Sequence, residues 1–257
     1  MTDPRVTDQP VNTLEVRNLH KSFGGIDAVA GVSFALAPGE ILAVIGPNGA
    51  GKSTCFNMLN GQLRPDAGTI LLENQDITGL PPRDIWRRGV GRTFQITATF
   101  ASMTVRENVQ IALLSHHRQI WRFWRAADQH AGPEADRLLA RVGMQSQANR
   151  PAAILAYGDL KRLELAIALA NGPRLLLMDE PTAGMAPSER TALMALTRDI
   201  AQAEGVAVLF TEHDMDVVFG TADRILVLNR GQLIAQGTPA EIRANAEVRA
   251  IYLGGHS

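Results

Sequence analysis

Several features that often identify a protein class are scarce in this sequence of 257 residues. Cys55 is the only cysteine, which excludes an internal disulfide and suits a reducing compartment. The 25 basic and 26 acidic residues nearly balance, so composition gives no electrostatic argument for binding nucleic acid or an anionic membrane. No stretch approaches the roughly 20 apolar residues that span a bilayer, and residues 1–13 lack the apolar core of a signal peptide. We expect a soluble, cytoplasmic protein, even if it acts at a membrane.

The sequence does contain enough apolar residues, 46% of the total, for one large α/β domain or two small ones. Within it, a glycine-rich segment separates a predicted buried strand at 41–45 from a predicted helix at 54–60 that ends at Gly61. The segment fits the phosphate-binding pattern G-x-x-x-x-G-K-[ST] and reads Gly46, Pro47, Asn48, Gly49, Ala50, Gly51, Lys52, Ser53 and Thr54. Glycines let backbone N–H groups turn toward a phosphate, and the helix N-terminus adds positive potential. Lys52 is expected to reach the outer phosphates of a nucleoside triphosphate, and Ser53 a magnesium ion.

Polar residues follow two further predicted strands. Asp179 and Glu180 end the strand at 174–180, and His213 follows the strand at 206–210. Ligands bind at the carboxyl ends of parallel strands, and adjacent carboxylates there are costly without a cation or a water to act on. Asp179 therefore fits a magnesium ligand and Glu180 a residue that activates water. An acidic helix cap is the alternative for this pair, and a lone histidine such as His213 is more often a polar loop residue.

Alternating apolar and polar residues at 14–19 and 32–36 predict an antiparallel layer with a turn at 24–25, and residues 68–77 predict a hairpin. Phe23 stands beside that turn. Its ring could pack in the core or form a platform for a nucleobase, and the residues alone leave both open.

Helix-forming runs at 105–114 and 133–142, with no predicted strand until 175, indicate a helical insert. Residues 121–125, Trp-Arg-Phe-Trp-Arg, lie within it. Their rings could pack inward while the arginines remain hydrated, or they could contact a nucleobase or a membrane-embedded partner.

The order of these motifs resembles the ATP-binding subunits of ABC transporters, and the resemblance covers nearly the whole chain from Leu14. Its components are the glycine-rich segment, Gln95 in Arg92-Thr93-Phe94-Gln95, the signature position Leu155-Ala156-Tyr157-Gly158-Asp159, the pair Asp179-Glu180, and His213. The resemblance implies that Phe23 stacks on adenine and that His213 senses the γ-phosphate. It also implies that Glu180, His213, Gln95 and Lys52 serve hydrolysis, that Ser53, Gln95 and Asp179 hold Mg²⁺, and that Ala156, Tyr157, Gly158 and Asp159 contact a nucleotide.

The implied fold class is α/β: a P-loop NTPase (RecA-like) core with an antiparallel β layer and a helical subdomain. The expected organisation is an N-terminal tail at 1–13 and a cassette at 14–257. Within the cassette we expect a core at 14–95 and 166–235, a helical subdomain at 96–165 and a C-terminal extension at 236–257.

A narrower resemblance is to branched-chain amino acid importers, and it rests on residues 88–95, 103–108, 157–158 and 252–254. It implies a second ATPase subunit, identical or different, two transmembrane permease subunits, an extracytoplasmic solute-binding protein and a location on the cytoplasmic membrane face, without nucleic acid. Three alternatives remain: the ATPase of a lipid or lipopolysaccharide exporter, a soluble ABC ATPase outside transport, and a small-molecule kinase.

The signature departs from the family at two positions. Ala156 stands where Ser or Thr is usual, and Asp159 where Gln is usual. Because Ala156 cannot donate a hydroxyl, a partner's nucleotide would be held mainly by the Gly158 backbone and the helix dipole.

Overall fold

The computed structural model describes residues 11–93, 99–116 and 131–253. Its strands are β1 (Leu14–Phe23), β2 (Ile26–Leu36), β3 (Ile41–Ile45), β4 (Ala67–Leu72), β5 (Gln75–Asp76), β6 (Val90–Thr93), β7 (Leu175–Asp179), β8 (Ala207–Thr211), β9 (Arg224–Asn229) and β10 (Gln232–Gly237). Its helices are α1 (Lys52–Leu59), α2 (Pro82–Arg87), α3 (Val105–His116), α4 (Gly132–Arg141), α5 (Tyr157–Ala168), α6 (Pro187–Glu204), α7 (Met215–Thr221), α8 (Pro239–Ala244) and α9 (Ala246–Leu253).

The central sheet has the strand order β10-β9-β3-β8-β7-β6. From β9 to β6 neighbouring strands run parallel, and β10 adds an antiparallel edge. Every residue of β3 and β8 is buried, as are the four apolar residues of β7. Such continuous apolar runs are typical of a parallel sheet that is covered on both faces. The carboxyl ends of β3, β7 and β8 therefore share one edge of the sheet.

The second sheet is antiparallel, in the order β2-β1-β4-β5. Its inward side chains form one apolar cluster with α1 and with one face of the central sheet. On the other face, α3, α4 and α5 pack against one another and join a second cluster. These layers confirm the predicted fold class, an α/β core with an antiparallel layer and a helical part. No helix in the described residues combines the length and apolar character needed to cross a bilayer.

Two strands were not predicted from the sequence. β6 has four residues, among them Gly91 and Arg92, and a glycine normally weakens a strand. Gly91 is required here because a Cβ atom would overlap the carbonyl oxygen of Ala168. β10 is an edge strand without a continuous apolar face. The alternation of apolar and polar residues that identifies a strand in sequence is therefore weak there.

Other predicted elements are present with shifted bounds. β1 and β2 extend to the turn at 24–25, and α1 begins at Lys52, two residues before the predicted start. Helix α5 begins at Tyr157, so Tyr157, Gly158 and Asp159 form its first turn and Ala156 is its N-cap. The aromatic cluster at 121–125 lies outside the described residues.

Candidate functional site

A cleft of about 320 Å³ opens at the shared edge of β3, β7 and β8. It brings most of the predicted phosphate-binding segment together with Glu180, which follows β7, and His213, which follows β8. The lining residues are Ala28, Asn48, Gly49, Ala50, Gly51, Lys52, Ser53, Thr54, Glu180 and His213. Residues separated by more than 150 positions in sequence thus meet in one cleft, as the parallel topology requires.

The phosphate-binding segment curls tightly between β3 and α1. Gly51 has φ of +100°, which a residue with a side chain rarely adopts, and its Cβ would also overlap the carbonyl oxygen of Ala28. A Cβ at Gly46 would overlap the carbonyl oxygen of Leu228. The chain can therefore follow this path only with glycine at both positions.

Lys52 is the first residue of α1 and is 8% exposed. Its ammonium donates hydrogen bonds to the carbonyl oxygens of Gly46 (2.7 Å) and Pro47 (3.1 Å), at the base of the curl. Burial lowers the pKa of Lys52, and the nearby carboxylates of Glu180 and Asp179 oppose that shift. The first turn of α1 has no acidic residue and no side-chain cap, so its N–H groups and Lys52 together can hold an anion.

Asp179 ends β7, and Glu180 follows with φ of +48°. Thr211, the last residue of β8, forms hydrogen bonds with both Asp179 and Glu180. The hydroxyl of Thr211 donates to Asp179 Oδ1 at 2.7 Å, while the Glu180 amide donates to both the hydroxyl and the carbonyl oxygen of Thr211 at 3.1 Å. On the other side of Asp179, a guanidinium nitrogen of Arg92 lies 3.9 Å from Oδ2. Nothing in the sequence indicated that Thr211 or Arg92 would contact Asp179.

His213 projects into the cleft, and its Nε2 lies 2.9 Å from Glu180 Oε1. Its backbone amide bonds to the Glu212 carboxylate at 3.2 Å. The other oxygen of that buried carboxylate accepts from the amide (2.8 Å) and the hydroxyl (2.6 Å) of Thr182. Glu212 thus fastens the loop after β7 to the loop after β8. Glu212 was not predicted as a site residue from the sequence, although its position between Thr211 and His213 at a strand end could have indicated one.

The described residues contain no group of three or more His, Cys, Asp or Glu side chains that could hold a metal ion. Two of the predicted metal ligands lie at or beside the cleft: the Ser53 hydroxyl belongs to its lining, and the Asp179 carboxylate directly precedes the lining residue Glu180. Such a sparse set suits Mg²⁺, which keeps several waters and takes phosphate oxygens as ligands. The site therefore fits a metal that arrives with a nucleotide. Gln95, the third predicted ligand, lies outside the described residues.

Phe23 is 50% exposed, which contradicts a core role for its ring. The Lys21 ammonium lies 5.5 Å from the ring centroid. Phe23 ends β1 and pairs with Ile26 across the turn into β2, the strand that supplies Ala28 to the cleft. The ring itself does not line the cleft.

The signature residues do not line this cleft. Ala156 is the N-cap of α5 and makes no side-chain cap, and both Ala156 and Tyr157 are exposed. Gly158 is buried, and a Cβ there would lie 2.7 Å from Glu189 Oε1. Asp159 accepts a hydrogen bond from Gln147 Nε2 at 2.8 Å. One chain therefore presents a phosphate-binding cleft and a separate exposed helix N-terminus.

A larger groove, of about 490 Å³, lies between α6 and α7. Its arginines already have partners on the protein: Arg190 pairs with Asp214, and Arg198 pairs with Asp223 at 3.0 Å. The groove also has no glycine-rich loop among its lining residues, unlike the smaller cleft. The smaller cleft is therefore the better candidate for a nucleotide.

Comparison with known proteins agrees with this geometry. A family model described as ABC transporter matches residues 29–183, more than half of the chain. The chain belongs to the ABC transporter family of ATP-binding proteins. Membership places it among the ATPases that drive transporters and confirms the predicted family. A second model, described as branched-chain amino acid ATP-binding cassette transporter, matches residues 232–257 of this ABC protein.

Relatives match over nearly their full length. The high-affinity branched-chain amino acid transport ATP-binding protein LivG of Escherichia coli K12 is 43% identical and covers 94% of this chain and 97% of its own. The corresponding BraF protein of Pseudomonas aeruginosa is 41% identical with the same coverage. Among solved structures, an ABC transporter cassette in its ADP conformation superposes with a TM-score of 0.86 at 32% identity, covering 95% of this chain and 99% of its own.

Proposed function

We propose that this chain is the ATP-hydrolysing subunit of an ABC importer that takes up branched-chain or related amino acids. The cleft carries the proposal, because Lys52 and the Glu180–His213 pair meet there at the end of a phosphate-binding loop. The names of LivG and BraF, and the match of residues 232–257 to a cassette model for branched-chain amino acid transport, support the substrate class. That match also favours an importer over a lipid exporter.

In the proposed reaction, water attacks the γ-phosphorus of ATP and the bond to the β–γ bridging oxygen breaks, giving ADP and phosphate. Glu180 accepts a hydrogen bond from the attacking water and polarises it. His213 lies 2.9 Å from the same carboxylate and orients it, and it lines the cleft together with Lys52. Lys52 and the N–H groups of the loop balance the charge that develops on the phosphate oxygens.

Ser53 and Asp179, with Gln95, would hold Mg²⁺. When bound, the ion neutralises charge on the β- and γ-phosphate oxygens. Phe23 stacks on the adenine, which extends out of the cleft. Thr211 and Arg92 keep the Asp179 carboxylate in place from both sides.

A second ATPase subunit completes each site in this proposal. Residues 156–159 of one chain lie away from its own cleft, at a helix start without a side-chain cap. Such an N-terminus is suited to meet the γ-phosphate held by another subunit. The remaining partners are two permease subunits, reached on the cytoplasmic face of the membrane, and an extracytoplasmic solute-binding protein.

The test uses the transporter purified from its native membrane and reconstituted in vesicles. We expect ATP-dependent uptake of labelled leucine, isoleucine or valine. Glu180→Gln keeps the shape of the side chain but removes its charge, so ATP binding should persist while steady-state hydrolysis nearly disappears. Glu247→Gln, the same change at an exposed residue of α9, is the matched control and should leave hydrolysis unchanged.

Near-normal turnover of Glu180→Gln would contradict the role of Glu180. Hydrolysis that is stimulated by a lipid, without uptake of any amino acid, would contradict the substrate class and leave the ATPase assignment intact.

A further inference from the structure

The side chain of Tyr157, in the signature, makes a hydrogen bond to the loop that follows β7. The hydroxyl of Tyr157 donates to the carbonyl oxygen of Ala183 at 3.0 Å. Ala183 lies in the loop 180–186, which joins the end of β7 to the start of α6 and begins with Glu180. The first turn of α5 is thereby joined to the segment that carries the candidate water-activating carboxylate.

The ring of Tyr157 is held on two further sides, although 43% of the residue is exposed. A Cβ atom at Gly184, whose φ is +78°, would lie 3.4 Å from a ring carbon of Tyr157, so the ring packs against the loop itself. The Lys161 ammonium lies 5.5 Å from the ring centroid. Lys161 is buried and pairs with buried Glu164 at 3.0 Å, which fixes the position of the ammonium.

The loop 180–186 is compact, so a restraint at Ala183 acts on Glu180. The Ala183 amide donates to the Glu180 carbonyl oxygen at 3.2 Å, and the Met185 amide donates to the Thr182 carbonyl oxygen at 3.1 Å. Thr182 is in turn bonded to Glu212. Glu180 also has the left-handed φ of +48°, a conformation that persists only where the surroundings hold it.

We propose that Tyr157 is a positioning residue for Glu180: its hydroxyl holds the loop 180–186 so that the carboxylate stays aimed into the cleft. The first turn of α5, which would meet a partner's nucleotide, is thereby coupled within one chain to that chain's own hydrolytic site. The proposal rests on the proposed role of Glu180 in hydrolysis. It differs from the expectation that Tyr157 contacts a nucleotide directly.

The first measurement is steady-state ATP hydrolysis by the reconstituted transporter carrying Tyr157→Phe, which removes one oxygen atom and keeps the ring. We expect kcat to fall about threefold to tenfold, the rate equivalent of one hydrogen bond, with KM for ATP within about twofold of the unaltered value. Thr191→Val is the matched control, because it removes an exposed hydroxyl that also donates to a backbone carbonyl oxygen, that of Pro187 at 3.2 Å. It should change neither constant.

The second measurement is ATP-dependent association of subunits with hydrolysis blocked by Glu180→Gln. Tyr157→Phe should leave it unchanged. Weaker association with an unchanged kcat for the associated complex would mean that the hydroxyl contacts the partner's nucleotide, and it would overturn the proposal.

The third measurement is amide hydrogen exchange on the isolated full chain, which does not depend on any transport activity. Tyr157→Phe should accelerate exchange at the Ala183 and Met185 amides, because the hydrogen bond from the Tyr157 hydroxyl stabilises the turn in which both amides are bonded. Unchanged exchange at both amides would overturn the proposal whatever happens to kcat. If the unaltered transporter failed to hydrolyse ATP, the proposed function would fail, while exchange at these two amides would still decide the role of Tyr157.

Discussion

Thr211 gives the sharpest test of how the two carboxylates are held, because one hydroxyl contacts both. It donates to Asp179 Oδ1 at 2.7 Å and accepts from the Glu180 amide at 3.1 Å, and Thr211 is 1% exposed. Thr211→Val keeps the size of the side chain and replaces the hydroxyl by a methyl group. The Glu180 amide keeps one acceptor, the Thr211 carbonyl oxygen. Asp179 Oδ1 loses its Thr211 donor.

The expected cost follows from those contacts. A hydrogen bond to a charged group contributes about 1.5 to 3 kcal/mol. A methyl group also needs roughly 3.3 Å or more from an oxygen, so Asp179 must move from its present position. We therefore expect Thr211→Val to lower the free energy of unfolding by about 2 to 3 kcal/mol. We expect kcat for ATP hydrolysis to fall at least about tenfold, because each 1.4 kcal/mol corresponds to a factor of ten.

Thr211→Ser is the matched control, since it keeps the hydroxyl and loses only a buried methyl group. It should cost about 1 kcal/mol of stability and retain hydrolysis within about twofold. Urea denaturation measures the stability of the isolated chain, and a phosphate-release assay on the transporter measures kcat. The reasoning is refuted if Val and Ser cost the same stability, or if Thr211→Val hydrolyses ATP as fast as Thr211→Ser.

Three further predictions address nucleotide binding and the signature. Lys52→Ala should weaken equilibrium ATP binding at least about tenfold, because a buried ammonium that faces the phosphates is lost; unchanged binding would contradict the phosphate-loop assignment. Phe23→Ala should lower ATP affinity by roughly 1 to 3 kcal/mol if the ring stacks on adenine, and thermal unfolding should hardly change because half of the residue is exposed. Ala156→Ser should tighten ATP-dependent association by up to about tenfold. Equal association of the unaltered and Ser variants, measured with hydrolysis blocked, would show that no phosphate contact is made there.

The sequence predicted those parts of the cleft whose residues are close together in the chain. The glycine-rich segment is flanked by its own strand and helix, so its pattern alone implies its geometry. Asp179 and Glu180 were predicted because ligands bind at the carboxyl ends of parallel strands, whereas the role of His213 was implied only by the family resemblance. The roles of Thr211 and Arg92 depend on which strands are neighbours, here β7 between β6 and β8. Strand order is set by packing across the whole domain, so it cannot be predicted from local sequence patterns.

For Phe23, the local sequence left two roles open, and the fold was needed to choose between them. Its place beside a glycine turn was compatible with a core side chain and with a stacking platform. Only the extension of β1 and β2 to that turn, which leaves the ring at an exposed end of the sheet, decides against the core. The residues next to the turn, namely Ser22, Phe23, Ile26 and Asp27, are all exposed, so no alternation of buried and exposed positions marks this end of the strands.

The structure also changes which substitution can test the contact between subunits. Sequence reasoning alone favours Gly158→Asp, because bulk and negative charge at a helix start should repel a partner's phosphate. In the fold, however, a Cβ at Gly158 would lie 2.7 Å from Glu189 Oε1, and that glutamate also accepts from the Ala186 amide. An aspartate there would press on a carboxylate of its own chain and displace the start of α6. Lost association could then come either from repulsion of the partner's phosphate or from the displaced start of α6.

Ala156 is exposed and has no side-chain cap, so a hydroxyl added there meets no such obstacle. Ala156→Ser can also cap α5 and stabilise the isolated chain by about 1 kcal/mol. Since that gain exists without ATP, only the ATP-dependent part of the change in association reports on the partner's phosphate.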